Sequence, residues 1–196
     1  MATHRALAAA SAALLGLIGD RYPRADFGSS LELQLYQAKD YEAPMNEGFS
    51  VFAYRVSVNT NVRNLGARRG ADGTRFKPSL PLDLHLLLTP WAQDAERQLR
   101  MLGWAMRFVE DLGILGAGQL NHYIAETDTF GPDETVELIA DPMALVDYLN
   151  LWDKWKHKMP ASMTYVARVL MLDSDIAVDD GALVQARRFG AGQAVT

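Results

Sequence analysis

The chain has 196 residues, of which 49% are hydrophobic and 22% charged, a balance typical of one globular domain and unlike that of a disordered protein. Its net charge of −5 disfavours non-specific binding to nucleic acid, because an acidic surface repels phosphates. It contains no cysteine, which excludes disulfide bonds, thiol nucleophiles and thiolate metal sites.

The N-terminal apolar run, residues 6–18, predicts a helix that packs on the domain. Its larger side chains share one helical face: Leu7, Leu14, Leu17 and Ile18. The run is shorter than the roughly 20 residues that span a bilayer, so we expect no membrane insertion. A cleaved secretory signal is the alternative, although no convincing cleavage site stands before Asp20.

Period-two alternation predicts two strands after this helix. The first covers residues 31–36. The second, longer strand follows a turn near residues 44–48, and four of its side chains are predicted to share a face: Phe52, Tyr54, Val56 and Val58.

A basic loop follows at residues 66–78. It carries four cations: Arg68, Arg69, Arg75 and Lys77. The loop lacks the Gly-Lys-Ser/Thr ending of a phosphate-binding loop. It is either a solvated loop or an electrostatic contact for an acidic neighbouring subunit.

A third strand begins at Leu80, with alternate leucines at 82, 84, 86 and 88 on one side and Asp83 and His85 on the other. Thr89 and Pro90 together predict the start of a helix that runs to about Leu112. That helix shows two apolar stripes, which suggests that part of it faces a partner or a second layer. The first stripe is Ala95, Leu99, Leu102, Met106 and Val109, and the second is Met101, Trp104 and Phe108.

The C-terminal third predicts one more helix and two more strands. The helix begins at Asp141 and Pro142 and buries Leu145, Leu149 and Trp152. Residues 163–172 are nearly all apolar and predict a central strand. A turn at residues 179–181 leads to a last strand, residues 182–189, which is a candidate sheet edge.

These elements predict an α+β fold, with about three helices packed on one face of a mainly antiparallel sheet. A single domain would cover residues 1–190, and residues 191–196 would form a flexible tail.

The residues suggest little chemistry. No Gly-x-Ser-x-Gly elbow is present, and the histidines are scattered, so we expect no catalytic, metal or cofactor site. Asp83 and His85 lie on one strand face, which leaves a small metal-dependent or hydrolytic enzyme as an alternative. Trp155 stands among lysines, as an interface anchor or as part of the core.

Segments spread over nearly the whole chain resemble, in type and order, those of one protein family. They are LPLDLHLLLT at 80–89, LGWAM at 102–106, YRVSVN at 54–59, RNL at 63–65, the residues Trp152, Pro160, Ser162, Tyr165 and Arg168, and LDSD at 172–175. The family is the cap, or tail-terminator, protein of extracellular contractile injection systems of the antifeeding-prophage and virulence-cassette type. Leu87 departs from it, because an aromatic residue is expected there.

The resemblance implies a structural protein with a fold similar to phage tail terminators, and no catalytic residue or cofactor. Its members form a homo-oligomer, a hexameric ring on the distal end of a phage tail-like particle, where sheath protein and inner-tube protein are the partners. The particle would assemble in the bacterial cytoplasm and then be released or anchored. Some members continue into an additional C-terminal domain. A phage-type tail-completion or head–tail joining protein is the alternative.

For such a ring we expect a set of candidate interface residues, chosen for positive charge or an exposed aromatic ring. They are Arg68, Arg69, Arg75, Lys77, Trp104, Phe108, Trp155, Arg187, Arg188 and Phe189.

Overall fold

The computed structural model describes residues 2–70, 72–153 and 159–178. The helices in these ranges are α1 (Ala6–Arg21), α2 (Arg24–Phe27), α3 (Ala95–Leu112), α4 (Ala117–His122) and α5 (Leu145–Leu151), with a 3₁₀ helix at Ala38–Glu42. The strands are β1 (Glu32–Tyr36), β2 (Gly48–Val58), β3 (Arg68–Arg69), β4 (Arg75–Phe76), β5 (Leu80–Trp91), β6 (Ile114–Gly116), β7 (Thr135–Ala140) and β8 (Met163–Leu172). None of these helices has the length and apolar character that a membrane span requires.

Six of the described strands form one mainly antiparallel sheet, in the order β1-β2-β5-β8-β7-β6. β1 runs parallel to β2, and the other neighbouring pairs are antiparallel. β3 and β4 form a separate hairpin. The α+β class is therefore confirmed, and so is the interior position of β8, which lies between β5 and β7.

The main core lies on the sheet face that α1, α3 and α4 cover. The alternate leucines of β5 point into it as their spacing predicts: Leu82, Leu84, Leu86 and Leu88. Met101 and Val109 of α3 and Leu120 of α4 pack over them, and each is at most 1% exposed. Burial stabilises the fold by roughly 2 kcal/mol for each side chain of this size, so this layer is a major source of stability.

α1 is buried on more than one side. Leu14 and Ile18 are fully buried, as the predicted helical face requires. On the side toward α4, Gly16 lies beneath the ring of Tyr123, and a Cβ atom at this position would stand only 2.1 Å from the ring. The Tyr123 hydroxyl donates a hydrogen bond to Asp20 at 2.6 Å. A glycine is therefore required for this close approach of ring and helix.

A second cluster, the aromatic cluster, covers the reverse face of the sheet. Its buried members are Tyr36, Tyr41, Leu87, Trp91 and Trp152. The Tyr41 and Trp152 rings meet edge to face with centroids 4.9 Å apart. Because Trp152 directly follows α5, this helix lies on the reverse face. The prediction that all helices share one face is wrong for α5.

The buried side of α5 also differs from the prediction. The helix begins at Leu145, later than expected, and Leu145 and Leu149 are 71% and 40% exposed. Trp152 is buried as predicted, and Tyr148 and Leu151 pack beside it against the aromatic cluster. Tyr148 and Leu151 thus form the side of this short helix that faces the sheet, and Leu145 and Leu149 on its other side are exposed to solvent.

The helix predicted to start at Thr89 and Pro90 starts later. β5 continues through Pro90 to Trp91, and α3 begins after Asp94, whose carboxylate accepts a hydrogen bond from the Arg97 N–H at 2.8 Å. A proline is tolerated here because β8 pairs with β5 only as far as Leu88, so the end of β5 has a neighbour on one side only. Trp91 is thus a strand residue rather than a helical one.

A β-bulge at Tyr54 breaks the alternation of β2. The pairing with β5 skips this residue, between Ala53 opposite Leu86 and Arg55 opposite His85. Past an inserted residue the side chains change face. The single face predicted for β2 is therefore wrong: Phe52 and Tyr54 join the aromatic cluster, whereas the two valines beyond the bulge pair with leucines of the helix-covered face.

A second irregularity lies where β8 passes Asp83 of β5. Leu82 pairs with Leu170 and Leu84 with Ala167, so two β8 residues oppose one β5 residue. Within this bulge Val169 has a φ of +59°. A β-branched side chain in the left-handed region costs about 1–2 kcal/mol, which the surrounding sheet must offset.

This strain gives a direct test. Asparagine tolerates the left-handed region, so Val169→Asn is expected to raise the free energy of unfolding by about 1 kcal/mol. Urea denaturation followed by circular dichroism measures the change. Val169→Ile, which keeps the β-branch, should give no gain, and a clear loss of stability in Val169→Asn would contradict the assignment of strain.

Candidate functional site

The predicted basic loop is the β3–β4 hairpin, and one of its cations is used inside the chain. The Arg68 guanidinium lies 4.5 Å above the Phe76 ring and 3.5 Å from the Asp173 carboxylate. It also donates to the Ser174 carbonyl at 3.2 Å. Arg68 therefore fastens the hairpin to the segment that follows β8.

Backbone hydrogen bonds strengthen this attachment, and two of the four cations remain exposed to solvent. The Lys77 N–H donates to the Ile176 carbonyl at 2.9 Å, and the Val178 N–H donates to the Arg75 carbonyl at 2.7 Å. Arg75 is half-buried, whereas Arg69 and Lys77 are exposed. The hairpin thus brings the four predicted cations together, and Arg69 and Lys77 are the better placed for contact with another chain.

Trp104 and Phe108 of α3 lie on the side of the helix that faces the core. Their rings stack with centroids 5.4 Å apart, and Trp104 meets Tyr22 edge to face at 5.9 Å. Both side chains are half-buried. On the opposite side of the helix, Leu99 and Met106 of the other predicted stripe are 58% and 38% exposed. The structure therefore divides this stripe: Val109 lies in the core, whereas Leu99 and Met106 are open to a partner.

The remaining candidates lie outside the described residues. They are Trp155, Arg187, Arg188 and Phe189, together with the predicted turn at 179–181 and the predicted edge strand at 182–189. These residues stay predictions.

Asp83 is part of the sheet's internal bonding. Its two carboxylate oxygens accept from the Asn59 side-chain amide, each at 3.0 Å, and one of them also accepts from the strained Val169 N–H at 3.1 Å. Asn59 in turn accepts backbone N–H groups of the loop after β2, from Asn61 and Val62. Asp83 therefore connects β5, the end of β2 and the β8 bulge.

His85 lies on the same strand face but has other partners. Its Nε2 lies 3.1 Å from the Ser57 hydroxyl, and its Nδ1 lies 3.0 Å from Asp141. Tyr54 packs beside the imidazole, with ring centroids 5.9 Å apart. Burial raises the pKa of Tyr54, the charge of Asp141 adds to this, and Arg55 opposes it. Asp83 and His85 thus each join a separate network, which counts against the alternative in which the two act together on one ligand.

Part of β2 is a strand edge without a described neighbour, a feature that the alternation of side chains along the sequence could not predict. β1 pairs with β2 only as far as Tyr36 opposite Phe52. Beyond that point, no described strand lies on this side of β2, so residues 53–58 pair with β5 alone. Val56 and Val58 on this stretch are 47% and 37% exposed. Their exposure marks a place where an extended segment of another chain can add to the sheet.

The described residues bring no group of three or more histidine, aspartate or glutamate side chains together in a way that could hold a metal ion.

The model of the Pvc16 N-terminal domain family matches residues 9–186. No curated protein matches the chain.

Two solved structures are similar in fold. One is the sheath/tube terminator, in the extended state, of an extracellular contractile injection system, PVC, with a TM-score of 0.60 and 12% identity over 96% of this chain and 64% of that one. The other is the tube-terminating cap of the anti-feeding prophage, with a TM-score of 0.50 and 13% identity over 92% of this chain and 60% of that one. The chain thus spans less than two thirds of either structure.

The role of Asp83 leads to a prediction. Asp83→Ala would leave the amide of Asn59, which is 4% exposed, and the Val169 N–H without their acceptor. Because a buried donor left unpaired costs about 1–3 kcal/mol, we expect the free energy of unfolding to fall by about 2–4 kcal/mol in urea denaturation. Asp83→Asn retains one oxygen and should lose less. Asp72→Ala, which removes a carboxylate from the exposed hairpin turn, should lose less than about 1 kcal/mol, and an equal loss in both alanine variants would contradict the prediction.

Proposed function

The chain belongs to the Pvc16 N-terminal domain family, and from this membership we propose that it is a structural cap, or tail-terminator, subunit of a contractile injection particle. Copies of the chain form a ring, hexameric as the sequence resemblance implies, on the distal end of the particle. The ring binds the last rings of sheath protein and inner-tube protein and ends their polymerisation. Assembly takes place in the bacterial cytoplasm, before the particle is released or anchored.

The observation that carries this proposal is the fold shared over nearly the whole chain with a sheath/tube terminator. The match to the Pvc16 N-terminal domain family favours an injection particle over a phage-type joining protein. Capping requires no chemistry, only surfaces that fit the end of a polymer.

A terminator must accept the contact by which the polymer grows without offering the next one. The edge of β2 at residues 53–58 supports the first requirement, because backbone groups that no described strand pairs can receive one extended arm of a sheath or tube subunit. At the opposite margin of the sheet, β6 has only three residues, Ile114 to Gly116. So short a strand is a poor template for a further one. One margin of the sheet can therefore accept a partner strand while the other offers little for a further one, as termination requires.

Charge supplies a second contribution. Arg69 and Lys77 are exposed on the β3–β4 hairpin of a chain whose net charge is −5. A local positive patch on an acidic protein can attract an acidic region of the neighbouring copy and orient it. In a ring of identical subunits, such a head-to-tail contact repeats around the circle until it closes.

Electron microscopy of particles produced with and without this chain tests the proposal. We expect particles of uniform length with a closed distal ring when the chain is present. In its absence we expect uncapped tubes or sheaths of irregular length. Particles of normal length and closed ends made without the chain would reject the capping role.

The β2 edge can be tested separately. The Asn59 N–H donates to Pro81 on the β5 side, so in the alternating pattern the Val56 N–H points to the free side. Val56→Pro removes this outward donor without breaking the ladder with β5. We expect the variant to fold, as judged by thermal unfolding, and to bind particle ends at least 10-fold less than the wild type. Val56→Thr keeps the N–H and should bind normally, whereas normal capping by a folded Val56→Pro would show that the contact lies elsewhere.

A further inference from the structure

Three polar side chains from separate elements form one hydrogen-bonded chain on the reverse face of the sheet. Ser57 comes from β2, His85 from β5 and Asp141 from the loop after β7. The Ser57 hydroxyl oxygen lies 3.1 Å from His85 Nε2, and an Asp141 carboxylate oxygen lies 3.0 Å from His85 Nδ1. Each ring nitrogen of the imidazole thus has one partner.

The carboxylate lies at Nδ1 of His85 and the hydroxyl at Nε2, which is the arrangement in which an imidazole can activate a hydroxyl. A carboxylate at Nδ1 holds the proton on that nitrogen and leaves the Nε2 lone pair directed at the serine. His85 can then accept the Ser57 proton while Asp141 stabilises the resulting imidazolium. A purely structural network could equally place the carboxylate on Nε2 and the hydroxyl on Nδ1, which is not the arrangement of a carboxylate, histidine and serine triad.

Two members of this network, His85 and Asp141, border an open cleft, and Ser57 is not among the residues that line it. The cleft has a volume of about 520 Å³ and is lined by His85 and Asp141, by Tyr54 and Arg55 of β2, and by α5. The His85 side chain is 15% exposed and that of Asp141 is 42% exposed. A small molecule can therefore reach the imidazole from solvent.

The free edge of β2 adds a donor for developing negative charge. Because the Asn59 N–H points toward β5, the N–H of the preceding residue, Val58, points away from it. No described strand pairs with β2 on that side. The amide of the residue that follows a serine nucleophile is a common member of an oxyanion hole. Val58 therefore supplies, next to Ser57, an amide that no described strand pairs.

From this arrangement we propose that Ser57, His85 and Asp141 form a nucleophilic site for small carboxylic esters, next to the β2 edge proposed for capping. The Ser57 oxygen attacks the ester carbonyl carbon while its proton passes to His85 Nε2. The ester C–O bond then breaks, and the departing alcohol takes that proton. A water molecule, deprotonated by His85, attacks the acyl-serine, which releases the carboxylic acid and restores the serine. Asp141 is a positioning residue, since it acts through the imidazole.

A fluorophosphonate probe tests the nucleophile in the purified full chain. Ser57 displaces fluoride from the probe phosphorus, so mass spectrometry of peptides identifies the modified residue. We expect labelling at Ser57 in the native protein and none in protein unfolded in urea. p-Nitrophenyl acetate, the second probe, should show release of p-nitrophenol that Ser57→Ala abolishes.

Variants separate a nucleophilic network from a merely structural one. His85→Gln is expected to slow labelling about 100-fold or more, the contribution of a positioned general base. Asp141→Asn should slow it strongly, whereas Asp141→Glu should restore part of the rate, a rescue that a structural role would not produce. Ser79→Ala is the matched control, because the Ser79 hydroxyl bonds to Asp173 and to no histidine, and it should label at the wild-type rate.

Two results would overturn the proposal. One is the absence of Ser57 labelling in native wild-type protein, which needs no variant to fold. The other is equal labelling of wild type and a folded His85→Gln variant, with folding checked by circular dichroism. Either result would leave Ser57, His85 and Asp141 as a polar network of the sheet. Both measurements use the isolated chain, so their failure is separate from a failure of the capping role.

Discussion

The pairing of β5 with β2 on one side and β8 on the other is the interaction on which the rest of the structure depends. Neighbouring residues of β5 point to opposite faces and are buried on both: Leu86 is 0% and Leu87 is 1% exposed. A strand that is covered above and below must satisfy its backbone groups through its neighbours. The helices on one face and the aromatic cluster on the other are packed against this strand, so the middle of the sheet is closed to other proteins. Contacts with another chain are therefore expected at the margins of the sheet and on the outer sides of the helices.

This constraint changes the kind of surface proposed for assembly. Charged and aromatic side chains attract attention in a sequence, but Arg68 fastens a hairpin to its own domain and Trp104 faces the core. What the described part of the fold leaves open is the backbone along residues 53–58 of β2. Backbone hydrogen bonding supplies affinity for an extended arm, and exposed cations supply orientation. A cap built in this way recognises a polymer end by its geometry more than by particular side chains.

The sequence predicted those features that depend on local pattern. The alternate leucines of β5 and the continuous apolar run of β8 both indicated buried strands, because burial repeats with the period of the backbone. The start of α3 was misplaced because Thr89 and Pro90 carry a helix signal that pairing with β2 overrides. The cluster of Ser57, His85 and Asp141 could not be predicted, since its members are brought together only by the order of the strands. The whole-chain resemblance succeeded where single motifs failed, because the order of many weak segments carries more information than any one of them.

The bulges at Tyr54 and Val169 have a consequence for comparing this chain with distant relatives. Each is an extra residue in a strand whose partner continues without one, so a relative can lack it and still keep every other side chain on the same face. At 12% identity, an alignment that forbids gaps inside strands would then shift all residues beyond the bulge by one position. It would equate core residues with surface residues over the remainder of the strand. Gaps placed at these two residues preserve the comparison, and they are where insertions and deletions within the sheet should be found.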